Sequence, residues 1–372
     1  MKFSINKADI VDVLSKVQGL TGRRSSLAIT ECVLLSAKDN SIQITATDLE
    51  TGYEGNFPAS VEQTGTIAIN ARKFYEILRE FPSQEILIDQ SENRWINIGH
   101  EKVQYHLMSM NPEDFPDTPA LEVTEFFEVD GSVLKRMIEK STIISGIGED
   151  KKPHINGIWF ERLIGQTPAL IRMVSTDGSR LSKYDIICES GKKPPAGESV
   201  LIPKKGLHEV GKFLGGDEPA KIAIQGSYFI LKSAMETFYI RLLEGKFPKY
   251  DEIIARPDGY KIVIEKDLLL SMVKRMSILC TESYRAAMFT FDRDELIIEA
   301  TNPDIGESKE NMAIEYKGDK IQAAFNPRFF TEAINGIDDA TLELNIISEE
   351  KPCLIDGVED KSYVSAIMPM RV

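Results

Sequence analysis

Hydrophobic positions along this chain alternate between two periods, and the alternation recurs. Near the start, Ile5 closes a strand-like run, and Ile10, Val13, Leu14 and Val17 follow at the spacing of a helix buried on one face. The same order returns with Val129 before Leu134, Met137 and Ile138, and again with Ile264 before Leu269, Met272, Val273 and Met276. A second signature follows each time. Ile69 leads into residues 70–78, Ile202 into 203–210 and Phe325 into 326–334, with Asn70, Pro203 and Asn326 at the entries. Asn and Pro suit a helix start, where backbone N–H groups lack partners. In this alignment Arg72, Lys205 and Arg328 coincide, as do Glu76, Glu209 and Glu332. Alternating runs such as 41–45 and 295–299 read as strands, and three such runs end in Thr47-Asp48, Thr176-Asp177 and Thr301-Asn302. The pattern predicts an α+β protein built from three copies of one unit, each with two helices packed on antiparallel sheets.

The length fits that reading, since 372 residues exceed one ordinary core. Proline-rich connectors near Pro119 and Pro257 place the three domains at 1–121, 122–256 and 257–372. A flexible stretch, 190–197, lies inside the second. Apolar content of 42% with 27% charged residues excludes wholesale disorder. No apolar run reaches the roughly 18 residues of a membrane span, so no membrane partner is expected. The opening residues lack a signal-peptide core, which predicts a cytoplasmic protein. Cys32, Cys188, Cys280 and Cys353 are scattered without a CxxC pair, as expected of reduced thiols rather than a zinc site or disulfide framework.

Net charge is −14, which speaks against a protein that coats nucleic acid. The distribution changes that picture. The first unit holds 11 basic against 17 acidic residues, the second 20 against 19 and the third 13 against 22. Lys16, Lys140 and Arg275 occupy equivalent positions on the first helices, and Arg72, Lys205 and Arg328 on the second. They are either solvated helix faces or a basic wall with the acids on other surfaces. A wall of this kind would neutralise phosphates without reading bases.

Catalytic motifs do not emerge. GxxxxGK[ST], a strand followed by GxGxxG, and HExxH are all missing, and His100, His106, His154 and His208 show no ligand spacing, so no metal or cofactor is expected. Asp292-Arg293-Asp294 reads as a hairpin turn. Asp177 and Ser179 could pass for a catalytic pair, but Asp177 has counterparts in Asp48 and in Asn302, which cannot ionise; a shared turn is the better reading.

The motifs Ala46-Thr47-Asp48-Leu49-Glu50, Ala71-Arg72-Lys73-Phe74, Thr176-Asp177-Gly178-Ser179-Arg180-Leu181, Gly245-Lys246-Phe247-Pro248-Lys249-Tyr250 and Met368-Pro369-Met370-Arg371-Val372 resemble the bacterial sliding-clamp family, the beta subunits of DNA polymerase III. The resemblance runs the full length. It implies three topologically similar clamp domains per chain, and a head-to-tail homodimer closing a ring around double-stranded DNA without sequence preference. It also implies a cleft for partner peptides at Ile155, Thr176, Gly178, Arg180, Leu181, Pro248, Ile253, Phe329, Met368, Pro369, Met370 and Arg371. Ser179 stands where the family often has His, and Glu252 where an Arg can occur. A mostly apolar groove with soft Met side chains suits aliphatic and aromatic anchors of an extended peptide. DNA-facing positions would be Lys16, Arg24, Arg72, Lys140, Lys151, Lys152, Lys205, Arg275 and Arg328. At the ring joint, Tyr105 and Leu107 would meet Ile278 and Leu279 of the partner subunit, with Lys73 facing acids near Asp304 and Glu307. The implied partners are the replicative polymerase, a separate ATP-driven clamp loader, and other polymerases and repair proteins. The expected function is a non-catalytic processivity factor. Its rivals are a cytosolic hydrolase using Asp177 and Ser179, and a DNA-independent peptide-binding scaffold.

Overall fold

The computed structural model describes residues 1–22, 27–100, 103–119, 125–144, 152–165, 167–188, 197–215, 219–233, 235–255 and 259–371. The boundaries expected at 121/122 and 256/257 lie outside this set, as does most of the 190–197 stretch, whereas the proline-containing connectors 111–116 and 245–248 lie within it. All six expected helices form: α1 (Lys7–Thr21), α2 (Ala71–Glu80), α3 (Gly131–Thr142), α4 (Lys204–Gly211), α5 (Lys266–Ser277) and α6 (Pro327–Asn335). The apolar positions at helical spacing are their buried faces, from Ile10 and Leu14 through Leu134 and Met137 to Leu269 and Met272. Their starts are chemically marked. Asn6 accepts the Ala8 N–H at 2.8 Å, Asn70 that of Lys73 at 3.0 Å and Asn326 that of Arg328 at 3.0 Å, while Asp130 receives Ser132 and Val133 at 2.8 and 3.1 Å. Pro203 differs from expectation: it closes the strand Val200–Pro203, and α4 begins one residue later.

The Thr-Asp signature is a turn device. Thr47 Oγ1 donates to the Thr51 carbonyl and accepts the Leu49 N–H, while Asp48 accepts the Glu50 and Thr51 N–H groups. Thr176 and Asp177 repeat this set atom for atom with Arg180, Gly178 and Ser179. The middle position is left-handed, at φ +88° for Gly178 and +76° for Leu49. In the third copy Asn302 accepts the Asp304 N–H and donates to the Leu279 carbonyl. Asp292-Arg293-Asp294 is the expected hairpin turn, with Arg293 and Asp294 both at positive φ.

Two compact units result, one of residues 1–135 with 205–242, the other of 136–204 with 243–372. The middle repeat therefore contributes to both. Each unit is organised on an eight-stranded antiparallel sheet. In the first, the order is Gly65–Asn70, Cys32–Lys38, Ser41–Thr47, Thr51–Pro58, Glu236–Arg241, Tyr228–Ser233, Pro219–Gln225 and Phe127–Asp130. In the second it is Val200–Pro203, Gly157–Leu163, Leu170–Thr176, Arg180–Ile187, Tyr363–Ile367, Cys353–Gly357, Thr341–Ile346 and Tyr260–Glu265. The orders correspond strand for strand. At each centre, a strand leaving a Thr-Asp turn pairs with the last strand of the next repeat: Thr51 lies opposite Ile240, and Arg180 opposite Ile367.

Two smaller sheets remain. One runs Ile321–Phe325, Ala287–Asp292, Glu295–Asn302 and Gly306–Ala313; the other runs Val103–Met108, Trp95–His100, Glu85–Gln90, Lys2–Asn6 and Ser60–Gln63. The first matches the leading half of an eight-stranded sheet and the second its trailing half with one strand, Ser60–Gln63, added. Their terminal strands, Gly306–Ala313 and Val103–Met108, end their sheets among the described residues. No helix among the described residues is long and apolar enough to cross a membrane.

Candidate functional site

Arg180 links the residues expected to form a cleft in the second unit. It is only 6% exposed, yet carries a full charge. Its Nε lies 2.9 Å from Asp177 Oδ2, its Nη1 2.6 Å from Glu332 Oε2, and its guanidinium stacks 4.2 Å from the Phe329 ring centroid. One side chain thus ties the Thr-Asp turn to α6. The chain terminus crosses the same place. Beyond the pairing of Tyr363–Ile367 with Arg180–Ile187, the Met368 N–H donates to the Ser179 carbonyl at 2.9 Å and the Met370 N–H to Ala324 at 2.7 Å. Met368, Pro369 and Met370 are half-buried.

The apolar floor consists of Leu181, Val174, Leu354, Ala366 and Tyr250, with Trp159, Phe247, Ile253 and Ile254 packed against it. Phe247 stacks on Trp159 at 5.6 Å. Tyr250 is pinned from below: its hydroxyl donates to Glu161 and receives Arg172, which holds Asp185 through two bonds of 2.7 and 2.9 Å. Ile155 is buried, and its carbonyl takes the Lys204 ammonium at 2.6 Å. Burial pushes Lys204 down to about 8, against the pull of Asp177. Among the expected cleft residues the structure gathers Thr176, Gly178, Arg180, Leu181, Ile253, Phe329, Met368 and Met370, leaving Pro248 and Arg371 exposed. Glu332, Trp159, Phe247 and Tyr250 pack against or bond to these residues and were not among the expected set. The repeat coincidence of Glu332 and the aromatic pair in Phe247-Pro248-Lys249-Tyr250 were the available signals.

Removing Arg180 leaves Asp177, with a side chain only 10% exposed, without its cation. We expect Arg180→Ala to cost about 3 kcal/mol, as a buried pair does when one partner is deleted. A lowered midpoint in chemical denaturation checks this; an unchanged midpoint would show the network to be dispensable.

The expected DNA-facing cations are placed differently from a bare basic wall. Lys16 pairs with Asp12 at 2.5 Å, Arg72 with Glu76 at 3.1 Å, Arg275 with Glu310 at 2.8 Å, and Lys205 with Asp48. Lys140, with a side chain 12% exposed, pairs with Asp338 at 2.9 Å, and Arg328 donates to the Cys280 carbonyl at 3.3 Å. The expectation that acids occupy other surfaces therefore fails at five of these positions, where a carboxylate of the same helix (Asp12, Glu76) or of another element (Glu310, Asp48, Asp338) reaches the cation. Lys152 is exposed, whereas Arg24 and Lys151 lie outside the described residues.

With this geometry in view, family comparison is decisive. Models of the N-terminal, central and C-terminal domains of the DNA polymerase III beta subunit match residues 1–119, 128–249 and 252–371 in turn. The chain belongs to that family. Similar relatives include the beta sliding clamps of Haemophilus influenzae, 28% identical, covering 100% of both chains, and of Chlamydia muridarum, 26% identical, covering 100% of this chain and 99% of that one. A solved structure of a putative DNA polymerase III beta subunit from Eubacterium rectale superimposes with a TM-score of 0.92 over 100% of both chains, at 26% identity. Sliding clamps are non-catalytic processivity factors, and the hydrolase alternative finds no support. Asp177 is consumed by two backbone N–H groups and Arg180.

Of the residues expected at the clamp's joint, Tyr105, Leu107 and Glu307 lie on the edge strands of the two smaller sheets, whereas Asp304 precedes one of these strands, Ile278 and Leu279 follow α5 and Lys73 lies on α2. Tyr105 and Leu107 lie on the edge strand Val103–Met108, where Tyr105 is half-exposed beside Phe81. Asp304 and Glu307 are exposed, one before and one within the other edge strand. Ile278 follows α5 and is 75% exposed, and Leu279 beside it receives the Asn302 amide on its carbonyl. Lys73 binds Glu76 of its own chain at 2.9 Å. Ile305, 58% exposed, was not foreseen.

Proposed function

We propose that two copies of this sliding-clamp chain join head to tail into a ring around double-stranded DNA. In the same proposal, partner peptides dock in the Arg180–Met370 cleft, and Lys16, Arg24, Arg72, Lys140, Lys151, Lys152, Lys205, Arg275 and Arg328 face the duplex. Domain limits of 1–121, 122–256 and 257–372 belong to this proposal. One observation carries the ring: among the described residues, beside two eight-stranded sheets, a four-stranded sheet matches the leading half of such a sheet and a five-stranded one matches its trailing half with the strand Ser60–Gln63 added. Open strand edges seek partners, and a second copy brings the matching half to each end. A head-to-tail contact closes when the rotation per subunit divides a full turn, and six like domains in two chains satisfy that.

The grip on DNA is topological in this reading, and the cleft recruits the replicative polymerase, the loader and other polymerases and repair proteins in turn. The test uses nicked circular DNA and a clamp loader with ATP. The clamp should remain on the circle after gel filtration and be lost when the circle is linearised. Absence of retention would favour a DNA-independent peptide scaffold, and retention that survives linearisation would rule out a sliding ring.

A further inference from the structure

In the first helix of each repeat, one equivalent cation meets a carboxylate supplied from a different place. Lys16 of α1 takes Asp12 from its own helix, one turn earlier. The residue equivalent to Asp12 in α3 is Arg136, so that helix carries two cations, Arg136 and Lys140, where α1 carries an ion pair. The carboxylate comes instead from Asp338, just past α6: its Oδ1 lies 2.9 Å from Lys140 Nζ and its Oδ2 receives Arg136. Asp360 approaches Arg136 at 3.8 Å. In α5 the equivalent cation, Arg275, is met by Glu310 from the strand Gly306–Ala313. Three unrelated elements reach the same outcome. What recurs is neutralisation of the cation, not a local helix pair.

We propose that Asp338 acts as a built-in competitor for DNA phosphates at Arg136 and Lys140, holding the clamp's electrostatic grip on the duplex low. The inference rests on the reading of Lys140 as DNA-facing. Arg136 and Lys140 lie four residues apart on one helix face, where like charges repel each other, and Asp338 bridges them. Burial raises the Asp338 pKa, but Lys140 and Arg136 outweigh it and keep the carboxyl ionised below its usual range. A phosphate approaching Lys140 therefore meets a carboxylate already bound there, well inside the roughly 8–10 Å over which charges act at physiological salt. Arg136 and Asp338 are 46% and 52% exposed, so that pair exchanges readily; exposed pairs of this kind are weak. A ring held on DNA by topology needs no tight contact, and exchange of cations between Asp338 and phosphates keeps each interaction shallow.

The test compares full-length wild type, Asp338→Asn, Lys140→Gln and the double variant, binding a labelled linear duplex across a salt series. Asn keeps the shape of Asp338 and one acceptor oxygen, and melting curves confirm that each variant is folded. Asp338→Asn should tighten binding about threefold at low salt and steepen the slope of log affinity against log salt by about 0.9 for each additional phosphate neutralised. Lys140→Gln should weaken binding, and adding it to Asp338→Asn should remove most of the tightening. If Lys140→Gln weakens binding while Asp338→Asn leaves affinity and slope unchanged, the competitor role is wrong and the DNA-facing reading stands. If Lys140→Gln changes nothing, both fall together.

Discussion

Deleting residues 368–372 should abolish stimulation of a partner polymerase while leaving the chain dimeric and folded. The tail contributes little to stability. Met368 and Met370 each donate one backbone bond, to Ser179 and Ala324, beyond a strand, Tyr363–Ile367, that is already fully paired. Net hydrogen bonds of this kind are worth about 1 kcal/mol each. The half-buried side chains of Met368 and Met370 are the larger loss, since flexible thioethers fill irregular gaps against an incoming anchor. Truncation should therefore lower affinity for a partner peptide at least tenfold, about 1.4 kcal/mol or more. Primer extension on a loaded circle reads polymerase stimulation, and sedimentation reads the dimer. Unchanged stimulation would move the docking site away from the terminus. A truncated chain that sediments as a monomer would give the tail a role at the joint instead.

The helices were legible because their apolar faces repeat: Leu14, Leu134 and Leu269 each sit in a three-and-four pattern that burial alone explains. The Thr-Asp turns were legible because a side-chain oxygen capping a turn needs fixed spacing, which Asp48 and Asp177 share. Strand partners were not. Alternation says that a segment is a strand, not which edge it joins, so the pairing of Thr51–Pro58 with Glu236–Arg241 could not be read from either segment. Long-range ion pairs were hidden for the same reason. Arg180 and Glu332 lie 152 residues apart, and their meeting depends on a sheet shared by two repeats. Lys140 looked like a free cation because its carboxylate, Asp338, lies in another repeat.

Replacing Ile278 and Leu279 together with Glu should yield monomers, and internal symmetry explains why the effect should be large. In both complete sheets the central pairing starts three residues after the turn Asp, at Thr51 and at Arg180, opposite Ile240 and Ile367. The third copy of the turn carries Asn302 and its hairpin is one residue longer, with Thr301 facing Glu307 where Thr47 faces Gly52 and Thr176 faces Leu181, so the equivalent residue is Gly306. Isolated bridges fix the other side: Ala68 with Met110, Leu201 with Leu243 and Ala324 with Met370 make Leu107 the counterpart of Ile240 and Ile367. The joint in this scheme sets Gly306, next to Ile305, opposite Leu107 of the partner subunit, and Ser308 opposite the partner's Tyr105. The Asn302 amide, bonded to the Leu279 carbonyl at 2.9 Å, holds Ile278 and Leu279 beside that edge. Apolar side chains left 75% and 58% exposed, as Ile278 and Ile305 are, gain stability only when another surface covers them. Four buried carboxylates in a two-joint ring would each cost several kcal/mol, far beyond what the strand pairing returns. Sedimentation should show a monomer, with loader-dependent retention on nicked circles lost at the same time. Ile305→Glu should weaken the dimer in the same direction, whereas Ile187→Glu, at an exposed position away from both edge strands, should leave it intact. A double variant that still sediments as a dimer would place the joint on other strands.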